Sequence, residues 1–243
     1  MTALARFVDP NGRPRLGRVE DRTVTPLLGD LFGATVEDGA PLPLSAVFWL
    51  PPVVPSKIVG VRTDGALFLM TPNTVIGDGH PITIPPGCDA VNHHPGLAVI
   101  VGRTMRATAE DAVWDHLLGV TLANGIAAPQ LAQQDGHDVR ARSADTFCPL
   151  GPWVAPWDAF AVDDRAVRCH VDGTPRPEGR TALAVQQIAG VAAYVSTMMT
   201  VIPGDVLLVE IGAGGPLVAG QTVSVSIDGV GTLRNPVAEG RHE

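Results

Sequence analysis

Short apolar runs separated by turn residues dominate the chain from residue 57 onward. The runs are about four to eight residues long, the length of a strand rather than of a helix. Glycine, proline, asparagine and aspartate interrupt them, as expected for tight turns. The pattern predicts a β-rich domain with strands in KIVGV (57–61), ALFLM (66–70), PITIP (81–85), LAVIVG (97–102), GVTLANGI (119–126), VLLVEIG (206–212), TVSVSI (222–227) and GTLRNPV (231–237).

Two segments show the spacing or the end signals of a helix instead. Apolar residues recur near helical spacing from Ala182 to Met199, which predicts a helix of about four turns. Thr108 precedes acidic residues and Gly119 follows a short amphipathic stretch. Threonine caps helix N-termini and glycine ends helices, so we predict a second helix over 108–119.

A small module precedes the β-rich domain. Pro10–Arg13 contains an Asn-Gly pair between two strand-like segments, and that pair favours a hairpin turn. The proline-rich stretch Leu50–Pro55 then predicts extended chain. We expect an N-terminal α/β module with a β-hairpin over 1–55 and a larger domain over 56–243. The whole chain is predicted to have an α+β fold, rich in β-structure.

Composition narrows the classes of function. The 243 residues include 25 acidic and 17 basic side chains, for a net charge of −8. The sequence contains no stripe of basic residues, so nucleic-acid binding is not expected. No apolar stretch is long enough to span a membrane, and the N-terminus does not resemble a signal peptide. Cys88, Cys148 and Cys169 are widely spaced. That spacing argues against a zinc site or a disulfide framework and favours a reducing cytoplasm.

Five segments carry a resemblance to a known family. They are PPVVPSKIVGV (51–61), NTVIGDGHPITIP (73–85), SADTFCPLGPWV (143–154), MTVIPGDVLLV (199–209) and GVGTLRNPV (229–237). In this order they resemble the fumarylacetoacetate hydrolase family, over nearly the whole chain after residue 50. The resemblance implies a mixed β-roll catalytic domain and a homodimer. It also implies hydrolysis, decarboxylation, isomerisation or hydration of 2-oxo or β-dicarbonyl acids, usually with Mg²⁺ or Mn²⁺.

The positions that hold the metal in this family are changed. The family's strand reads roughly D-Y-E-x-E-L-A-V-V-I-G, and residues 92–102 here read NHHPGLAVIVG, with His94 and Gly96 at the two glutamate positions. The third ligand, an aspartate after Ala-Asn, corresponds to Gly125. Mg²⁺ requires oxygen ligands and usually one or two carboxylates. We therefore expect no metal site and no cofactor.

Other active-site segments of the family differ as well. The turn Arg62–Gly65 runs straight into ALFLM, so the family's lid with its catalytic histidine is absent. The lysine of the family's G-K-S motif corresponds to Arg142, and the T-G-T-P-A-G-V loop reads VEIGAGG over 209–215. Scaffold segments match while ligand and lid positions are replaced. This pattern indicates a maintained fold with new or lost chemistry.

Adjacent histidines are the sharpest local feature. Neighbouring strand residues point to opposite faces, and the register of the resemblance directs His94 to the pocket. An imidazole has a pKa suited to acid–base catalysis. We assign His94 to catalysis and His93 to substrate binding. The alternatives are a histidine that is only hydrogen-bonded in a vacated site, or a transition-metal site that includes His80 or His137.

Four further residues complete the candidate site. Arg142 would clamp a substrate carboxylate bidentately; the alternative is a salt bridge to Asp145 or another surface acid. Arg62, at the shortened lid junction, is a second candidate for binding the carboxylate. Asn124, beside the lost aspartate, would donate to an oxyanion. Glu210 would be the acid–base partner of the catalytic histidine.

Two functions follow from these residues. The first is a metal-independent isomerase, decarboxylase or cyclase for a small enolisable 2-oxo or β-dicarbonyl acid or a polyketide-like compound. The second is a catalytically inactive subunit that supports an intact paralogue. In both, the expected assembly is a homodimer or a related pair, without nucleic acid or membrane.

Overall fold

The strands of the computed structural model form two sheets. The structure describes residues 2–157 and 164–240, apart from the side chain of Leu183. Among these residues, the larger sheet contains 14 strands and the smaller sheet contains six. This β-rich α+β architecture confirms the fold class that the sequence predicts.

The strand bounds follow the apolar runs of the sequence. In the N-terminal part they are β1 (Ala3–Val8), β2 (Pro14–Glu20), β3 (Thr23–Gly29), β4 (Thr35–Glu37), β5 (Leu42–Pro43) and β6 (Phe48–Leu50). In the rest they are β7 (Ile58–Val61), β8 (Leu67–Met70), β9 (Val75–Ile76), β10 (Ile82–Ile84), β11 (Val91–Val101), β12 (Leu117–Ala127), β13 (Cys148–Pro156), β14 (Ala166–Val171), β15 (Thr174–Pro175), β16 (Gly179–Arg180), β17 (Val206–Glu210), β18 (Gly215–Leu217), β19 (Thr222–Ile227) and β20 (Gly231–Glu239). The larger sheet has the strand order β4-β3-β2-β1-β13-β12-β11-β17-β7-β8 along its main path. The smaller sheet has the order β10-β20-β19-β14-β15.

The N-terminal hairpin forms where the sequence predicts it. Strands β1 and β2 pair antiparallel, and Gly12 in their connection has a φ of 78°. Strand β1 also pairs with β13, with Leu4 opposite Val154. The leading module is therefore continuous with the main sheet. Between residues 2 and 55 the regular structure consists of strands and one 3₁₀ turn, Leu44–Ala46.

Strands β11 and β12 form the centre of the larger sheet. Each has 11 residues, and they pair antiparallel with β17 on the other side of β11. Both are apolar and buried along most of their length because other elements cover both of their faces. The polar residues at the ends of these strands are thus held on a rigid frame.

One of the two predicted helices is confirmed and the other is wrong. Helix α3 covers Thr181–Met198. The predicted helix over 108–119 is a 3₁₀ helix, Glu110–His116, and Thr108 does not cap it. Gly119, which was predicted to follow the end of the helix, lies in β12, where a Cβ would come within 2.2 Å of the Ala155 carbonyl oxygen. Strand pairing has overridden the local helix signals.

Two short helices were not predicted from the sequence. They are α1 (Pro129–Asp135) and α2 (Val139–Arg142), which follow β12 directly. Proline at the start of α1 and Gly136 in the left-handed conformation at its end are ordinary helix boundaries. The second of them, α2, carries Arg142 over the end of the central strands.

A buried carboxylate ties the domain's first strand to β17. Asp205 accepts hydrogen bonds from the Ser56 hydroxyl (2.6 Å) and the Ile202 backbone N–H (2.9 Å), and pairs with Lys57 Nζ at 2.5 Å. Its side chain is 1% exposed. Strands β7 and β17 run parallel immediately beyond this cluster. Separately, none of the helices described is long and apolar enough to cross a membrane.

Candidate functional site

Strand register brings one set of side chains to a single face of the larger sheet. His94 is paired with Gly125 on β12, and Gly96 is paired with Glu210 on β17. Alternation along each strand puts residues 94, 96, 125 and 210 on the same face. These are the three positions that the family resemblance assigns to metal ligands, together with the glutamate that the sequence suggests as the partner of His94.

A buried ion pair occupies the middle of this face. Arg142 Nη1 lies 2.5 Å from Glu210 Oε1, and the two side chains are 5% and 3% exposed. A Cβ on Gly125 would lie 3.4 Å from Glu210 Oε1 and 3.8 Å from Arg142 Nη1. The alternative partner of Arg142, Asp145, instead accepts a hydrogen bond from Asn73 at 2.6 Å.

An aromatic ring supports the guanidinium of Arg142. Its Cζ lies 3.9 Å from the centroid of the Phe68 ring, in the range of a cation–π contact. Phe68 is on β8 opposite Gly60, and a Cβ on Gly60 would come within 2.0 Å of the ring. Glycine at position 60 is therefore what lets the ring lie flat on the sheet and support Arg142.

His94 lies at the edge of this pair. Its Nδ1 is 3.7 Å from Glu210 Oε2, and its side chain is 28% exposed. Burial, followed by the positive charges of Arg142 and Arg62, lowers the pKa of His94 to about 4. The imidazole is consequently neutral at pH 7, the form that can accept a proton.

Glu210 has the opposite perturbation. Burial raises the pKa of its carboxyl, and the neighbouring guanidinium of Arg142 partly opposes that rise. A buried carboxylate is held in its charged form only by such a partner. Arg142 and Glu210 therefore depend on each other, and neither is a free charge in the site.

A cavity of about 290 Å³ opens over these side chains. Its polar lining includes Arg62, His94, Asp138, Arg142 and Glu210, and its apolar lining comes from alanine and proline residues of β12, α1 and α2. The β7–β8 turn forms one side of the opening, closed by a hydrogen bond from the Arg62 N–H to the Ala66 carbonyl at 2.9 Å. The short turn predicted from the sequence is thus present where the family has its lid.

Charged residues from two loops meet at the mouth of the cavity. Arg62 lies 3.1 Å from Asp64 and 3.5 Å from Asp138, and its side chain is 41% exposed. Asp138 belongs to the turn between α1 and α2, whereas neighbouring His137 is exposed. Sequence reasoning placed Arg62 in the site but missed Asp138, because nothing in the local sequence links the two loops.

Two of the proposed site residues lie on the other face of the sheet. His93 is fully buried, with its Nδ1 3.9 Å from the Cys169 sulfur, and it does not line the cavity. Asn124 is 1% exposed and shares that face. Strand alternation separates them from His94 and Gly125, so the assignment of His93 to substrate binding and of Asn124 to an oxyanion site is wrong.

The same register explains why His93 is a structural residue. Burial lowers the pKa of His93 to about 4, against the influence of the Asn124 side chain beside it. Its Nε2 and both amide atoms of Asn124 have no hydrogen-bond partner of good geometry within residues 2–157 and 164–240. The pair forms an internal polar cluster behind the site.

The residues present do not fit the divalent metal that the family resemblance implies. Within the described ranges, no three histidine, cysteine, aspartate or glutamate side chains converge as a ligand set. The old ligand positions 94, 96 and 125 carry no carboxylate; the carboxylate beside them on the same face is Glu210, and Arg142 already binds it. At Gly96 a Cβ would come within 2.4 Å of the Val209 carbonyl oxygen, so the backbone leaves no room for a ligand there.

Comparison with known proteins identifies the family of the chain. Residues 58–238 match the family described as fumarylacetoacetate (FAA) hydrolase, C-terminal. The chain belongs to the fumarylacetoacetate hydrolase family. Residues 3–52 match a second family, described as Rv2993c-like, N-terminal. The family resemblance seen in the sequence is therefore confirmed.

Named relatives of this family member include isomerases. A curated relative, protein Rv2993c of Mycobacterium tuberculosis, is 34% identical over 96% of this chain and 97% of its own. The bifunctional 4-hydroxyphenylacetate degradation isomerase/decarboxylase of Salmonella dublin is 30% identical over 70% of this chain and 41% of its own. A solved 2-hydroxyhepta-2,4-diene-1,7-dioate isomerase from Mycobacterium marinum has 30% identity and a TM-score of 0.90, covering 100% of both chains.

Proposed function

We propose that this protein is a metal-independent enzyme that isomerises, decarboxylates or cyclises a small enolisable carbonyl compound. The candidate substrates are 2-oxo acids, β-dicarbonyl acids and polyketide-like compounds. One observation carries the proposal: a neutral imidazole, His94, lies beside a buried carboxylate–guanidinium pair in a single cavity. Relatives that are named as isomerases and a decarboxylase support the same class of reaction.

His94 is the proton-transfer group in this proposal. Its Nδ1 lies on the side of Glu210, which leaves Nε2 to take a proton from a carbon next to the substrate carbonyl. The resulting enolate is stabilised by the charge of Arg142, which is held in place before substrate arrives. In an isomerisation, His94 then returns this proton to another carbon of the enolate. In a decarboxylation, loss of CO₂ from the substrate carboxylate forms the enolate without prior proton removal, and the carbon receives a proton that His94 relays from solvent.

Glu210 and Arg142 replace what a metal would otherwise supply. The guanidinium provides a fixed positive charge, and the carboxylate would orient the imidazole once the 3.7 Å separation from Nδ1 closes to hydrogen-bond distance. Among residues 2–157 and 164–240 no carboxylate set converges for Mg²⁺ or Mn²⁺, so the proposed steps use only side chains of the chain itself.

Hydrogen–deuterium exchange tests the proposal without knowledge of the natural substrate. A panel of dicarbonyl acids and neutral diketones is incubated in D₂O, and proton loss at the carbon between the carbonyls is followed by NMR. We expect the wild-type protein to accelerate exchange of at least one compound, and His94→Ala to slow it by about 10²–10⁴-fold. His170→Ala, on the smaller sheet, is the matched control and should keep full activity.

The competing function is an inactive subunit. It is supported if no member of the panel exchanges faster than in buffer and if co-expression with an intact paralogue yields a heterodimer. Exchange by wild-type protein that survives in His94→Ala would reject the assignment of the base while leaving enzymatic activity in place.

We further propose a homodimer in the cytoplasm. An apolar groove of about 630 Å³ runs along the edge strand β8 and the end of α3, with Leu69 and Met198 more than half exposed. Exposed apolar surface at an unpaired strand edge is typical of an interface. The expectation of a reducing compartment comes from the three free cysteines.

A further inference from the structure

Two arginines line the site cavity, and one of them is already fixed in place. Arg142 is 5% exposed, lies 2.5 Å from Glu210 and has the Phe68 ring 3.9 Å from its Cζ. Separation of a buried ion pair leaves an uncompensated charge in a poorly solvated place, which is strongly destabilising. The guanidinium of Arg142 therefore stays inside the cavity, where the proposed function uses it to stabilise the enolate.

The second arginine, Arg62, lies at the mouth of the cavity with weaker partners. Its side chain is 41% exposed, and its guanidinium lies 3.1 Å from Asp64 and 3.5 Å from Asp138. Ion pairs that are exposed to water contribute little, because water solvates the separated charges well. An incoming carboxylate can therefore replace one partner of Arg62 at small cost.

Asp138 is the partner that an incoming carboxylate can replace. Its side chain lines the cavity. It stands at the N-cap of α2, where aspartate commonly accepts a backbone hydrogen bond, but among the described residues its side chain makes no such bond. Movement of Asp138 away from Arg62 thus breaks no hydrogen bond of the helix. Asp64, in contrast, is held in its turn by a 3.0 Å hydrogen bond from the Ala66 N–H.

The position of Arg62 suits an anchor for a small acid. The cavity of about 290 Å³ contains both Arg62 and His94 in its lining, and ligand sites of this size hold only small molecules. A guanidinium can bind a carboxylate through two parallel hydrogen bonds. An acid held at the mouth in this way extends its carbonyl carbons inward, toward the imidazole.

We propose that Arg62 anchors the substrate carboxylate by exchanging Asp138 for it, and that Asp138 sets the affinity for acids as a competing internal carboxylate. The proposal rests on the proposed function for the acid class of the substrate, and on the geometry for the choice of arginine. Arg62 belongs to the β7–β8 turn and Asp138 to the α1–α2 connection. The exchange therefore also releases the ionic contact between the two sides of the mouth.

A matched pair of probes tests the anchor. Acetylpyruvate and its methyl ester share a dicarbonyl skeleton, and only the first carries a carboxylate. Isothermal titration at pH 7.5 should show tighter binding of acetylpyruvate than of the ester to the wild-type protein. Arg62→Gln removes the charge, so it should weaken binding of acetylpyruvate by at least about tenfold, the usual effect of losing a hydrogen bond to a charged group. Binding of the ester should not change.

Asp138→Asn tests the exchange. It keeps the shape of the side chain and removes the competing charge, so acetylpyruvate should bind about threefold tighter than to the wild type, the scale of an exposed ion pair. The ester should bind as before. In the double variant Arg62→Gln/Asp138→Asn the gain should disappear, because Asp138 acts only through Arg62.

A neighbouring aspartate provides the control. Asp135 is on α1, three positions before Asp138, and its carboxylate pairs with Arg140 at 2.6 Å. Asp135→Asn removes the same charge from the same segment but from a side chain that does not line the cavity. It should leave the ratio of the two affinities unchanged. An equal gain in Asp135→Asn and Asp138→Asn would show a general electrostatic effect and would contradict the exchange.

Three further results would overturn the proposal: no tighter binding of acetylpyruvate than of the ester by the wild type, unchanged binding of acetylpyruvate in folded Arg62→Gln, or a gain from Asp138→Asn that persists in the double variant. These outcomes are separate from that of the proposed function. The expected binding pattern without deuterium exchange supports the anchor and contradicts the enolisation chemistry. Exchange that depends on His94, with acid binding unaffected by Arg62→Gln, supports the chemistry and contradicts the anchor.

Discussion

His94 combines two properties that oppose each other in a general base. Its neutral form is fully populated at pH 7, because burial and two guanidinium groups lower its pKa to about 4. The same shift weakens it as a proton acceptor, since a base is most efficient with a pKa near the working pH. A substrate whose carbon-bound proton is unusually acidic would offset that weakness. Closer approach of Glu210 to Nδ1 would do the same by raising the basicity of the imidazole.

The pH dependence of activity should show this shifted pKa. Activity that requires neutral His94 is lost as the pH falls through its folded pKa, so the acid limb of kcat/KM should lie near pH 4 and well below the ordinary 6.5. Arg62→Met removes one of the charges that lower the pKa of His94 and should move the limb to higher pH. An acid limb near pH 6.5 in the wild type, unchanged in Arg62→Met, would show that His94 is not buried as described.

His93 should make the stability of the fold depend on pH. Its folded pKa of about 4 lies below the 6.5 of the unfolded chain, so protons bind preferentially to the unfolded state between these values. The free energy of unfolding should fall as the pH decreases from 6.5 toward 4, with a His93 share of about 1.4 kcal/mol per pH unit. Urea unfolding of His93→Gln should give a correspondingly flatter curve, and parallel curves would contradict this assignment.

The sequence predicted single residues unevenly. The choice of His94 over His93 followed from alternation and register, and the structure places His94 on the cavity. The proximity of Glu210 to His94 also followed. The ion pair between Arg142 and Glu210 did not, because it joins α2 to β17 across 68 positions of sequence. The support of Arg142 by Phe68 has no local signal at all.

At the level of elements, strands were easier to predict than helices. Apolar runs located β7, β11, β12 and β17, since each is too short or too continuously apolar for a helix. End signals misled the prediction at 108–119, where β12 takes the last residues for pairing. The helices α1 and α2 directly follow the buried strand β12 and contain only seven and four residues. Segments this short show too little hydrophobic periodicity to be predicted as helices.

The contacts of Asp205 with Ser56, Lys57 and Ile202 should contribute most of the polar stabilisation where β7 and β17 begin to pair. Asp205→Ala removes the buried acceptor for Ser56, Lys57 and Ile202 and should lower the free energy of unfolding by about 3–5 kcal/mol, the range for a broken buried pair. The control is Asp38→Ala, whose carboxylate is 52% exposed and pairs with Arg15. Its effect should stay within about 1 kcal/mol. Urea titrations measure both, and equal effects would contradict the role of Asp205.

For the whole molecule, the order of the family-like segments along the chain predicted more than any single strand or helix did. Family membership followed from five segments in the right order, and the match over 58–238 confirms it. The continuity of the N-terminal module with the main sheet was not foreseen, because the pairing of Leu4 with Val154 joins distant parts of the chain. The boundary at residue 55 stays a prediction.

Elemental content tests the metal-free proposal. With glycine at 96 and 125 and with Glu210 bound by Arg142, we expect no stoichiometric Mg²⁺ or Mn²⁺ after dialysis. Plasma mass spectrometry of the purified protein measures this directly. About one metal ion per chain that survives dialysis would show that donors other than those around Glu210 complete a site.

Light scattering tests the proposed dimer. The apolar groove along β8 and α3 should be covered in solution, so the mass should be about twice the 25.3 kDa of one chain. Leu69→Glu, on the exposed side of β8, should shift the mass toward the monomer because a charge in an apolar interface is costly. A wild-type mass of one chain at micromolar concentration would reject the dimer.

The closeness of β11 and β17 at Gly96 has an evolutionary consequence. A Cβ at that position would meet the Val209 carbonyl oxygen at 2.4 Å, so even alanine forces the two strands apart. A lineage that sought to regain a metal centre would first have to accept a less stable sheet, with no gain in binding until further substitutions followed. Selection by single steps disfavours that route. The close contact at Gly96 therefore makes substitutions in the cavity walls an easier route to new activity than restoration of a carboxylate at position 96.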